Sequence, residues 1–244
     1  MLTWMAARYP GPMLGTVVMC NSFRSPSLLA KMSASLQEMS MGRLILGYGA
    51  GWYEDEYRSY GFDYPSAGVR VDMLEEGVQI IKKMWVDSPA NFRGKYYQID
   101  NVYCEPRPDP QPVLMLGGGG ERKTLRVVAQ YADWWNDVMR PIPDLSRKLE
   151  ILKQHCEAVG RDYNSIRKTL APRFFIDKNH RKAISMAEGK NDTGQVIAGD
   201  PAAVCDQLHE LAEMGFDMVV TTFPKFQELD DMKLFVEEVI PQFS

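Results

Sequence analysis

The stretch from Val113 to Thr124 constrains the fold of this 244-residue chain more than any other. It reads Val-Leu-Met-Leu-Gly-Gly-Gly-Gly-Glu-Arg-Lys-Thr: a short apolar run, four glycines, then a helix-forming segment. Such a run, closed by glycine, predicts a buried strand that turns tightly into a helix. Four residues without Cβ allow a ligand to lie against the backbone. Free N–H groups and the positive end of the helix dipole then face that ligand, so a cofactor phosphate suits the turn. The run is neither the Rossmann GxGxxG nor a Walker P-loop. A glycine-rich strand-to-helix turn without a ligand is the alternative reading.

The same alternation recurs along the chain. Short apolar runs predict strands at Met13–Met19, Arg43–Tyr48, Val113–Leu116, Ala132–Asn136, Thr169–Ile176 and Asp217–Thr222. Between them lie helical patterns at Ser27–Met39, Val69–Trp85, Glu121–Tyr131, Asp144–Val159, Pro201–Met214 and Asp230–Val239. In the first of these, Leu28, Leu29, Met32, Leu36 and Met39 recur near a 3.6-residue period. Asp200-Pro201 carries the N-cap and first-turn chemistry of a helix start, and Gly160 and Gly215 follow helix ends. Gly94–Cys104 alternates and is rich in Tyr and Val, which predicts a small hairpin excursion near 87–112. Asn179–Thr193 is polar, basic and poor in pattern, and reads as a mobile insertion near 178–198. Strand–helix alternation in one domain, 1–244, implies an α/β fold with a parallel sheet, open or closed. In a closed (β/α)8 barrel the sites gather after the C-terminal ends of the strands. The unusual loops lie there, at Cys20–Pro26, Gly49–Asp55 and Gly117–Gly120. Six strand–helix units are visible, not eight.

Composition excludes several classes. Charged residues are 25%, the formal net charge is −4 and no basic patch stands out, so the footprint of a nucleic-acid binder is missing. No apolar run approaches the ~20 residues that span a bilayer, and the N-terminus lacks signal-peptide layout, which places the chain in the cytoplasm. Cys20, Cys104, Cys156 and Cys205 are scattered and read as reduced thiols. His155, His180 and His209 have no ligand spacing, so no metal site is expected.

The loop Gly47-Tyr48-Gly49-Ala50-Gly51-Trp52-Tyr53-Glu54-Asp55-Glu56-Tyr57, then Tyr60-Gly61-Phe62, carries more information. Together with Arg70-x-Asp72-x-Leu74-Glu75-Glu76, the four-glycine turn and Tyr131-Ala132-Asp133, it resembles the bacterial-luciferase-like family. The branch it is most similar to is that of coenzyme F420-dependent oxidoreductases. Leu14-Gly15-Thr16, Arg24-x-Pro26 and Gly199-Asp200-Pro201 fit the same pattern. The resemblance implies a TIM (β/α)8 barrel that binds a deazaflavin or FMN at its C-terminal mouth. Leu2-x-Trp4-x-Ala6-Ala7 resembles the segment just before the family's third strand. The first two strand–helix units are therefore expected to be absent, leaving strands three to eight. Either Met1 is a misassigned start or boundary, or the chain is a genuine truncation.

Residue by residue, the resemblance implies the following. Val17-Val18 falls where the family has a bulge, often a non-proline cis peptide, behind the tricyclic ring; two ordinary core valines are the alternative. Gly49, Ala50 and Gly51 let the backbone approach the cofactor. Trp52 stands where a glucose-phosphate-oxidising branch has Glu, and Ala50 where the luciferase branch has a phosphate-binding Arg. Tyr53 matches an active-site Tyr of the luciferase branch, so Trp52 and Tyr53 are the pocket candidates and the catalytic acid or base is unassigned. Asp55 matches a polar cofactor contact, while Glu54, Asp55 and Glu56 read equally as a solvated acidic turn. Gly117, Gly118, Gly119 and Gly120 match the cofactor-phosphate loop. One indole of Trp134-Trp135 is expected to pack. The implied activity is hydride transfer between coenzyme F420 and a small organic substrate. An FMN-dependent monooxygenase using O2, and a non-catalytic cofactor binder or inactive fragment, are the competing readings. A homodimer is a further family expectation.

Overall fold

The computed structural model describes residues 1–188, 196–222 and 229–243. They fall into two compact units, Met1–Trp135 with His155–Ile166, and Asn136–Gln154 with Arg167–Ser244.

The first unit begins with helix α1 (Leu2–Arg8) and the short strands β1 (Leu14–Gly15) and β2 (Met19–Cys20). Helix α2 (Pro26–Met39), strand β3 (Leu44–Gly49) and helices α3 (Glu54–Ser59) and α4 (Ala67–Val86) follow. Next come the antiparallel hairpin β4 (Ala90–Arg93) and β5 (Gln98–Val102), strand β6 (Val113–Gly117), helix α5 (Thr124–Tyr131) and the start of β7 (Trp134–Val138). Both β1 and β2 pair in parallel with β3, Leu14 opposite Leu44 and Cys20 opposite Gly49. They are the single expected strand, interrupted at Val17-Val18. On its other side β3 pairs with β6, from Ile45 opposite Val113 to Gly49 opposite Gly117. Leu44, Leu46, Tyr48, Leu114, Met115 and Leu116 are buried, as the apolar runs of parallel strands require.

Helix α2 forms where its period predicts, but turned. Leu28 (53%), Met32 (48%) and Met39 (59%) face solvent, while Leu29, Ala30, Ser33, Ala34 and Gln37 are buried. Small side chains on this face allow a close approach, and the buried polar groups are satisfied. Ser33 Oγ donates to the Leu29 carbonyl at 2.7 Å. Gln37 donates to the Pro110 carbonyl at 2.8 Å and accepts from the Leu44 amide at 2.9 Å. Trp85 of α4 donates to the Ala30 carbonyl at 3.2 Å. Helix α5 starts at Thr124, three residues later than expected, because Glu121–Lys123 form a turn first.

Helix α6 (Ile142–Ala158) joins the two units in sequence. The second unit carries the end of β7, strands β8 (Arg167–Ala171) and β9 (Arg173–Ile176), helix α7 (His180–Ala187), strand β10 (Val196–Gly199), helix α8 (Pro201–Glu213), strand β11 (Met218–Val219) and helix α9 (Asp230–Leu234). The expected strand Thr169–Ile176 is divided at Pro172, which has no N–H to give to a ladder. Its first half pairs with β11, and its second half pairs in parallel with β10. The segment read as an insertion therefore contributes a helix and a strand, while residues 189–195 lie outside the described residues. The Asp200 side chain accepts from the Ala203 amide at 3.0 Å and caps α8 as its sequence predicts.

Gly77 shows how tightly the first unit is packed. A Cβ there would lie 2.7 Å from Asn21 Oδ1 and 3.0 Å from the Tyr48 hydroxyl. Alanine in a helix gains up to about 1 kcal/mol over glycine, but overpacking a filled core costs about 1–3 kcal/mol. Gly77→Ala is expected to lower the urea midpoint of unfolding. A variant as stable as the wild type would show that this space is not filled by the Asn21–Tyr48 pair.

Candidate cofactor and substrate site

The site grows from the C-terminal ends of β2, β3 and β6, all in the first unit. The Val17–Val18 peptide bond is cis. Val17 is 47% exposed. The Val18 side chain turns the other way, into space left by two glycines. A Cβ on Gly49 or on Gly117 would lie 2.8 Å from Val18 Cγ2. These two glycines face each other across the β3–β6 ladder, so together they form a slot for one isopropyl group. Thr16 closes the near side: its hydroxyl donates to the Gly47 carbonyl at 3.0 Å, and a Cβ on Gly47 would overlap the Thr16 carbonyl. The missing Cβ of Gly49 is thus what makes room for Val18.

Gly51 has φ +76, and a Cβ there would meet the Tyr57 hydroxyl at 2.2 Å and Cys20 Sγ at 2.5 Å. The loop beyond it is held from behind by three consecutive carbonyls. The Tyr57 hydroxyl donates to the Ala50 carbonyl at 3.1 Å. Arg70 Nε donates to the Gly51 carbonyl at 3.2 Å. The Tyr64 hydroxyl donates to the Trp52 carbonyl at 2.8 Å. Arg70 is buried, also donates to the Pro65 carbonyl, and lies 4.0 Å above the Tyr64 ring. The Tyr57 hydroxyl also lies within hydrogen-bond distance of Ser22 Oγ at 2.9 Å and of the Cys20 thiol at 3.0 Å. Trp52 and Tyr53 themselves point outward, 80% and 49% exposed. Asp55 sits in the first turn of α3, exposed beside Glu54 and Glu56, which fits the solvated acidic turn.

The glycine turn lies after β6. Gly117 receives Val18. Gly118 has φ +121, a conformation that favours glycine. A Cβ on Gly120 would lie 2.6 Å from Thr124 Oγ1. The Trp135 indole is fully buried and donates to the Gly118 carbonyl at 2.9 Å, so it packs, as expected of one of the pair. The turn thus presents bare backbone at the head of α5, followed by the exposed Arg122 and by Lys123, which pairs with Asp72 at 2.6 Å. That donor set is compatible with a phosphate.

The profile of the luciferase-like monooxygenases matches residues 1–192. The chain belongs to that family. Over 99% of its length this luciferase-like chain is 25% identical to an F420-dependent glucose-6-phosphate dehydrogenase of Amycolatopsis mediterranei, of which 83% is covered. An enzyme of the same description from Gordonia bronchialis is 30% identical over 75% of this chain and 56% of its own length. The F420-dependent tetrahydromethanopterin reductase of Methanopyrus kandleri superposes with a TM-score of 0.84 at 21% identity, covering 100% of this chain and 86% of its own. The long-chain alkane monooxygenase LadA superposes at 0.81 and 15% identity, covering 99% and 71%. The fold is therefore that of the luciferase-like TIM barrels, here incomplete, and the family is one of enzymes. Among the described residues no helix is long and apolar enough to cross a membrane.

Arg70, Tyr64, Tyr57 and the Tyr48–Asn21–Tyr97 chain behind the site were not singled out from sequence for these roles. One signal was available: Arg70 heads the stripe Leu74, Gly77, Val78, Ile81, and a cation on a buried helix face requires acceptors. Tyr48 donates to Asn21 Oδ1, and Asn21 donates to the Tyr97 hydroxyl at 3.1 Å. Burial pushes the Tyr48 and Tyr97 phenols up, and burial with the Cys20 contact pushes Tyr57 up to about 12. A phenol pKa raised above its unfolded value near 10 stabilises the fold fully below that pH. The contribution is lost as pH rises through the folded value. Absorbance at 295 nm is expected to show that Tyr48 and Tyr57 remain protonated at pH 11. Stability should be flat up to about pH 9.5 and fall above pH 10. Ionisation of all eleven tyrosines in the folded state at pH 11 would contradict the buried network.

Proposed function

We propose that this chain binds a deazaflavin of the coenzyme F420 type beside Val17 and serves hydride transfer to or from a small organic substrate. The observation that carries the reading is Val18 seated between Gly49 and Gly117, which leaves Val17 half exposed beside them. A β-branched side chain held in a slot is stiff, and the half-exposed Val17 beside it is a flat apolar wall suited to an uncharged ring. The F420-dependent relatives support the same assignment. When bound, the deazaflavin supplies the hydride donor or acceptor.

The protein's own residues do the rest. Val17 backs the ring, and Val18 fixes Val17. Gly49, Gly51 and Gly117 act by admitting Val18, Tyr57 and Cys20, which sets the backbone of Ala50 and its neighbours. Gly118, Gly119 and Gly120 offer backbone to the cofactor phosphate at the head of α5. Asp55 offers a carboxylate at the rim, and Trp52 and Tyr53 face the substrate.

The test is a side-by-side titration with coenzyme F420 and FMN. The deazaflavin is expected to bind with micromolar affinity and FMN at least ~10-fold more weakly, a difference of about 1.4 kcal/mol. Tighter binding of FMN, with oxygen uptake when reduced FMN and substrate are present, would replace this reading by the monooxygenase one. Binding of neither would remove both. Val17→Asp places a carboxylate against the ring and is expected to weaken F420 binding at least ~10-fold. Because Val17 is half exposed, its Tm should stay near wild type. An unchanged affinity would show that Val17 is not the wall.

A further inference from the structure

The Trp52–Tyr53 pair is the least economical feature of the first unit. An indole 80% exposed beside a phenol ring 5.4 Å away leaves a large apolar area in water. Here the backbone is held at every step, through the Ala50, Gly51 and Trp52 carbonyls, by Tyr57, Arg70 and Tyr64. The three donors support one another: the Tyr57 and Tyr64 rings are 4.9 Å apart, and the Arg70 guanidinium stacks on Tyr64. A rigid support that projects two aromatic faces into solvent is the arrangement of a binding platform.

The charge beside the platform selects what binds. Glu54 is neutralised by Arg58 at 2.5 Å, but Asp55 and Glu56 form no ion pair among the described residues. A phosphorylated or carboxylated ligand on Trp52 would meet the acidic turn that follows, three carboxylates against the Arg58 guanidinium, which pairs with Glu54 and also feels Asp55. The two rings pack against each other at an inclination of 40°, and the exposed indole offers its remaining surface to a flat group.

We infer that the substrate of this chain is a planar, uncharged or cationic compound that stacks on Trp52 and Tyr53, and that sugar phosphates are excluded. The inference rests on the proposed function only in taking this loop as substrate-facing. It therefore departs from the substrate in the names of the glucose-6-phosphate dehydrogenases it is similar to.

The experiment is equilibrium dialysis on the full chain without cofactor, using 2-acetylnaphthalene, 2-naphthoate and glucose 6-phosphate as probes. The neutral ketone is expected to bind, the naphthoate at least ~5-fold more weakly, and glucose 6-phosphate not at all at millimolar concentration. Trp52→Ala should weaken the ketone ~10-fold with unchanged Tm, and Trp52→Phe should restore most of the affinity. Tyr64→Phe, which removes only the Trp52 carbonyl's donor, should weaken it a few-fold. Saturable glucose 6-phosphate binding, no binding of the ketone, or ketone binding indifferent to Trp52→Ala would each overturn the inference. F420 affinity is measured separately. A chain that fails to bind deazaflavin yet binds the ketone through Trp52 would end the oxidoreductase reading and leave this one standing.

Discussion

One valine organises the site. Val18 can occupy its position only because β3 and β6 both end in glycine at the same level of the ladder. Its methyl groups fill the gap those glycines leave. A larger residue at Gly49 or Gly117 would have to push against a side chain already fixed on the opposite side. The direction of Val17, the turn after β6 and the path of the chain through Ala50 and Gly51 follow from this contact. The glycines here are spaces for the protein's own side chains first, and any ligand meets the surface that this packing creates.

Behind that surface the polar groups are treated as carefully as apolar ones elsewhere. Tyr48, Asn21 and Tyr97 form a chain through the interior, and Tyr57 gathers Ser22, Cys20 and the Ala50 carbonyl. Unsatisfied, such groups would cost several kcal/mol. Satisfied, they tie β2, β3, α3 and the hairpin loop to one geometry. The glycine in the middle of α4 belongs to the same arrangement, since its missing side chain is what lets Asn21 and Tyr48 meet.

Much of this was legible in the residues, and the failures have physical causes. The strand Val113–Leu116 and the turn after it declared themselves because an apolar run cannot be left in water and four glycines cannot continue a strand. The start of α8 was readable from Asp200-Pro201, whose chemistry is local. The facing of α2 was not, because Ala30, Ser33 and Ala34 are buried for their small size and Gln37 for its partners, neither of which a hydrophobic period records. The division at Pro172 was obscured by apolar residues on both sides, although the missing N–H was visible. Within the site, the family resemblance pointed to these loops and to the glycines, but not to the side chains that the glycines make room for. Their use by Val18, Tyr57 and Thr124 depends on contacts between segments far apart in sequence. Arg70 was visible as part of a motif, but its task depends on carbonyls nineteen and five residues away.

The loop after β3 is gripped through main-chain oxygens, which every amino acid possesses. Its side chains at 52 and 53 take no part in holding it. The fold thus separates what keeps the loop in place from what the loop displays. Residues 52 and 53 can be exchanged like type in a frame, and a new surface chemistry can be tried without rebuilding the scaffold that presents it.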